Sequence, residues 1–164
     1  MAIQSISQLS MLVAGILFSS LTAFSQLKHY SFEQIDSLQK VEKRNVAVFI
    51  HTDWCSYCHA MKNVTLKDRE VIESLNRDYW FISFNAEEKK DVRFNNRVFK
   101  YRPTGNNVGI HELAEQLGTI ENKTAYPALC ILNPDYEIIF QYDQYLAPDD
   151  LQRILNIIPE RKSK

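Results

Sequence analysis

Between Ser31 and Val41 the apolar residues Phe32, Ile35, Leu38 and Val41 recur every three positions with polar and charged residues between them. That spacing lays one apolar stripe along a helix, and Ser31 stands where an N-cap belongs. Asn45 then leads into Val46-Ala47-Val48-Phe49-Ile50, a short unbroken apolar run rich in strand formers, which predicts a buried central strand. Asp53 is placed to cap a second helix that carries Cys55 and Cys58, with Met61 and Val64 continuing its apolar face. Thr65 to Asp68 interrupts that pattern. Val71, Ile72 and Leu75 supply another turn or two of helix before Tyr79-Trp80-Phe81-Ile82-Ser83-Phe84, the next strand.

Beyond Asn85 the pattern is less regular. Val92-Arg93-Phe94 and Arg97-Val98-Phe99 flank Asn95-Asn96, and asparagine tolerates the positive φ of a tight turn, so a small hairpin is expected. Pro103 to Gly109 reads as a loop, and Ile110 to Leu117 as a short helix stopped by Gly118. Ala128 to Leu132 and Glu137 to Tyr142 are two strands joined by Asn133-Pro134-Asp135, too close for anything but an antiparallel hairpin. From Asp149 a last helix turns Leu151, Ile154, Leu155 and Ile158 inward. The alternation of the first half implies parallel pairing and the end adds an antiparallel hairpin. The fold class is therefore α/β, a mixed central sheet with helices on both faces.

A length of 164 residues suits one domain. The formal net charge of −1, with both signs interspersed, carries no electrostatic footprint for nucleic acid or an anionic membrane. The first 25 residues contain no Asp, Glu, Lys or Arg, Met11 to Phe24 forms an apolar stretch, and Ala23 and Ser25 stand at the small-residue positions of a cleavage site before Gln26. Residues 1–25 are expected to be a signal peptide, with 26–164 the exported domain, periplasmic or secreted; an uncleaved anchor is the alternative. Outside the cytosol disulfides persist.

Three cysteines are present, and Cys55 and Cys58 are close enough to pair. A thiol at a helix start lies near unpaired N–H groups and the positive end of the helix dipole, so it ionises more readily. Cys58 follows three residues later on the same face. Such a pair can cycle: one thiolate attacks a target disulfide and the second thiol resolves the mixed disulfide.

Trp54-Cys55-Ser56-Tyr57-Cys58 after a strand, and Tyr126-Pro127 before another, resemble the thioredoxin superfamily over about residues 30 to 158. The resemblance implies a thioredoxin fold and a thiol-disulfide oxidoreductase with Cys55 as nucleophile and Cys58 as resolving thiol. It further implies a cis-proline at Pro127 facing the site, and a Tyr126 backbone that pairs with a substrate segment. Trp54 and Tyr57 are expected to form an apolar docking surface for peptide. Partners are then protein or peptide thiols and disulfides, with a membrane thiol-reducing donor to recharge the pair, and the chain is expected to be monomeric. No cofactor and no metal is expected. The chain departs from cytosolic thioredoxins in having Ser56-Tyr57 between the cysteines and Phe49 where they carry a buried acid, leaving His51, Asp53 and Glu87 as candidate substitutes. Residues of about 88–109 are additional to a minimal thioredoxin and are expected to shape substrate choice.

Other readings of the same residues stay open. Cys55-x-x-Cys58-His59 is also a c-type haem attachment pattern, and the pair is half of a zinc site. A purely structural disulfide in a non-catalytic binding module is a third reading. Cys130 is expected to be a buried core thiol, and His29, His111 and the run Glu87 to Asp91 to be solvated. Nothing between the cysteines supplies a positive charge that would favour a strong oxidant, so reduction is the expected direction.

Overall fold

A computed structural model describes residues 26–160 except Asn107. Helix α1 (Phe32–Val41) opens on a capping box in which Ser31 and Gln34 satisfy each other's backbone N–H groups. Strand β1 (Asn45–His51) is buried along nearly its whole length, as its unbroken apolar run requires. Helix α2 (Ser56–Asn63) and a 3-10 turn (Thr65–Lys67) lead to α3 (Arg69–Asp78), which Asp68 caps by accepting from the N–H groups of Glu70 and Val71. Strand β2 (Tyr79–Asn85) lies parallel to β1.

Three two-stranded pieces follow. Strands β3 (Val92–Phe94) and β4 (Arg97–Phe99) turn at Asn95 and Asn96, whose φ values of 49° and 59° give the twist a tight hairpin needs. Strands β5 (Tyr101–Gly105) and β6 (Val108–His111) form a second hairpin where the sequence reads as a loop. Gly109 is fixed there by a close approach, because a Cβ would run into the Arg102 carbonyl and the Tyr101 ring. Helix α4 (Glu112–Gly118) accordingly starts two residues later than its apolar pattern suggests, since Ile110 and His111 belong to β6. The short β7 (Thr119–Ile120) and β8 (Lys123–Thr124) precede β9 (Ala128–Leu132), β10 (Ile138–Tyr142) and α5 (Pro148–Glu160).

The central sheet has the order β10-β9-β1-β2, with β9 antiparallel to both of its neighbours. Period-two alternation splits its side chains between two cores. Val46, Val48, Ile50, Cys130 and Leu132 meet Phe32 and Ile35 of α1 and Leu113 and Leu117 of α4 on one face. Ala47, Phe49, Leu129 and Ile131 meet Cys58 and Met61 of α2, Val71 and Leu75 of α3 and Leu151 and Leu155 of α5 on the other. The signal-peptide expectation falls on residues 1–25, outside the described part of the chain.

Candidate redox site

Strand β1 ends at His51, and four residues later Cys55 stands at the N-cap of α2. Asp53 does not cap this helix, contrary to its pattern. The Cys55 sulfur takes that place, accepting from the Cys58 N–H at 3.0 Å. Asp53 instead accepts from the Asn85 side chain at 3.1 Å, and its carbonyl oxygen accepts from the His59 ring at 2.8 Å. A sulfur that already accepts a helix-start N–H is placed to hold negative charge once the pair is reduced.

Cys55 and Cys58 are joined by a disulfide, with Cα atoms 5.2 Å apart. Both are buried in the core on the α2 face, Cys58 more completely. Trp54 and Tyr57 stand on either side, 69% and 65% exposed, which makes them the most open large aromatics near the bond. Trp54 meets Tyr126 edge-on at 6.1 Å and gives its indole N–H to Glu87 at 3.2 Å. Tyr57 leans toward Tyr145 at 6.3 Å. The Tyr126–Pro127 peptide bond is cis and leads directly into β9. Burial pushes the Tyr126 hydroxyl up to about 12, with Glu87 and Glu115 adding to the effect, so it remains a neutral hydrogen-bonding group.

The sequence-selected residues thus gather at one end of the sheet: Trp54, Cys55, Tyr57 and Cys58 from the β1–α2 junction, Tyr126 and Pro127 from the segment before β9. Tyr145 was missed, because it comes from a distant loop and nothing local marks it. Lys62 was missed too, although it lies one helical turn beyond Cys58. Its ammonium donates to the Nδ1 of His51 at 3.0 Å. Burial drives His51 down to about 4, with Lys62 adding and Asp53 opposing, so the ring is neutral at physiological pH.

Cys130 is a free thiol on the opposite face, wholly buried and pushed up to about 12 by burial. His111 is not solvated, as its type suggested. It is fully buried, its Nδ1 accepts from the Leu113 N–H, and its Nε2 lies 3.2 Å from the Lys90 carbonyl. Among the described residues no group of three or more His, Cys, Asp or Glu could hold a metal ion.

The family described as a thioredoxin-like domain matches residues 32–158. The chain belongs to the thioredoxin-like family. Among solved structures, this thioredoxin-like chain is similar to a protein titled DsbH oxidoreductase, at 12% identity and TM-score 0.61, over 88% of this chain and 92% of that one. A thioredoxin from Thermus thermophilus shares 19% identity at TM-score 0.59, over 82% and 88% of the two chains. A putative disulphide-isomerase from Bacteroides thetaiotaomicron shares 20% at TM-score 0.53, over 84% and 94%. At these identities the likeness is one of fold. No curated protein sequence matches the chain. A thioredoxin-like domain with a Cys-x-x-Cys pair supports thiol-disulfide oxidoreductase chemistry at the level of the family. No helix among the described residues is long and apolar enough to cross a membrane.

Proposed function

We propose that this protein is an exported thiol-disulfide oxidoreductase that reduces or exchanges protein disulfides through Cys55 and Cys58. One observation carries the reading: a disulfide closed across the first turn of α2, with Cys55 as the cap, beside exposed aromatic side chains. A structural staple gains nothing from that position, whereas a reactive thiol gains the helix-start field.

In the reduced protein the Cys55 thiolate attacks one sulfur of a target disulfide, and the displaced target thiolate takes a proton from solvent. The Cys58 thiol then loses its proton, and its thiolate attacks the Cys55 sulfur of the mixed disulfide. The second target thiolate leaves and is protonated. Two electrons and two protons pass to the target, and the Cys55–Cys58 bond reforms. Trp54 and Tyr57 offer apolar area to the target segment, and Tyr126 and Pro127 form the opposite wall on which its backbone rests. Residues 1–25 serve as the export signal, and segment 88–109 influences which targets dock. A membrane thiol donor recharges the pair, because an exported protein has no cytosolic reductant at hand.

Insulin reduction tests turnover, and Cys58→Ala tests the assignment of roles. The variant is expected to accumulate mixed disulfides on Cys55. A folded Cys58→Ala protein that traps no partner, together with no insulin reduction by the unmodified pair, would return the bond to a structural role.

A further inference from the structure

Resolution requires the Cys58 thiol to lose its proton while 1% exposed, in an apolar layer that disfavours a bare thiolate. The charged groups of this region have different partners. Asp53, His59 and Glu87 are each tied into contacts at the surface, with Asn85, the Asp53 carbonyl and Trp54. Lys62 is bound instead to His51. It sits one turn past Cys58 on α2, and helical side chains lean toward the helix N-terminus, so its stem runs back along the turn that carries Cys58.

His51 holds it there. The ring is 6% exposed and stacks on Phe49 at 5.5 Å, on the β1 face that packs against Cys55 and Cys58. Its Nδ1 accepts the Lys62 ammonium at 3.0 Å. The histidine is neutral because of its burial, which keeps that lone pair available, and burial also lowers the lysine, showing that the ammonium is partly withdrawn from water.

We propose that Lys62, positioned by His51, is the cation that sets the ionisation of the reduced Cys55–Cys58 pair and so its redox equilibrium. This rests on the oxidoreductase reading above and deepens it. When the disulfide accepts two electrons it opens to two thiolates, one of which takes a proton from solvent, and the ammonium stabilises the one that stays ionised. Lys62 borders a cavity of about 720 Å³ together with His29, Leu66, Lys67, Ile72 and Ser83. The groups that face Lys62 are therefore Asp53 from the β1–α2 loop, which opposes its effect, His51 from β1, His29 from the chain before α1, and Lys67 from the 3-10 turn. His51 acts through Lys62 and is a positioning residue.

The test is Lys62→Met in the purified protein, with cooperative thermal unfolding as the check on folding and Lys62→Gln in reserve if the first variant does not fold. The pH midpoint of cysteine alkylation, resolved by peptide mass spectrometry, is expected to rise by about one unit. Equilibrium with glutathione should move about tenfold toward the disulfide, about 30 mV for a two-electron couple. Lys62→Arg should restore most of both shifts, and His51→Phe should reproduce part of them. An unchanged midpoint and unchanged equilibrium in folded Lys62→Met overturn the proposal, as does an arginine that fails to restore them. Alkylation is read on reduced protein whether or not insulin turns over, so loss of the enzyme reading leaves this measurement decisive.

Discussion

Each face of the central sheet buries a cysteine beside a histidine: Cys58, with its disulfide partner Cys55, shares one layer with His51, and Cys130 shares the other with His111. Burial is nearly equal, yet the two pairs have different surroundings. Cys130 lies mid-strand on β9, where burial raises its thiol and it forms no disulfide. Cys58 lies on the first turn of a helix with Cys55 as its partner. His111 is fixed between two backbone groups, Lys90 C=O and Leu113 N–H, whereas His51 is bound to a charged side chain with a rotatable stem. Burial alone does not make a group reactive. Its neighbours, and the helix end it faces, decide that.

The comparison is broken most directly by exchanging the cysteines for serine. Cys55→Ser is expected to abolish insulin reduction entirely, while Cys130→Ser retains the wild-type rate. The latter leaves a hydroxyl in an apolar layer and should cost about 1–3 kcal/mol, read from the midpoint of urea unfolding. Loss of turnover in a folded Cys130→Ser protein would make the third thiol a redox participant.

Acid distinguishes the histidines. Both have folded values below the usual 6.5, so the unfolded chain binds protons more readily and acid favours unfolding. The contribution of His51 is intact above about 6.5 and disappears as pH falls through about 4. Stability measured against pH should therefore decline over that window, and His51→Gln should flatten the decline. Protonated His111 can no longer accept from Leu113, so protection factors between Lys90 and Leu113, corrected for the intrinsic pH dependence of exchange, should fall on acidification below the usual histidine range. Equal protection factors before and after acidification would contradict that assignment.

These contrasts show where the sequence was legible. The apolar run of β1, the helical stripe of α1 and the Asn95-Asn96 turn are local patterns, and each element formed where its pattern lies. The Cys-x-x-Cys pair is likewise local. The hairpin of β5 and β6 escaped because β5 is mostly exposed and contains Pro103 and Gly105, so it has no alternation to read. His111 looked solvated because a polar residue next to α4 has no periodic mark of burial. Asp53 looked like a cap because its residue type favours one, but a sulfur at Cys55 competed for the same N–H groups. Lys62 could have been found by counting one turn from Cys58, and Tyr145 only from tertiary packing.

The smallest expected effect concerns the exposed aromatic side chains beside the disulfide. Trp54→Ala should raise the KM for insulin about fivefold, a loss of about 1 kcal/mol, while leaving reduction of a small disulfide unchanged. An equal loss with both substrates would move Trp54 from docking to the support of the α2 start.

The central claim is that Cys55 and Cys58 form one reductase-like couple while Cys130 stays outside it. Equilibration of the purified protein against a glutathione series, read by trapping every thiol and resolving each by mass spectrometry, tests it most directly. Cys55 and Cys58 should titrate together as a two-electron couple nearer about −270 mV than about −120 mV, with Cys130 reduced throughout. A midpoint above about −150 mV, or Cys130 titrating with the pair, would contradict the account.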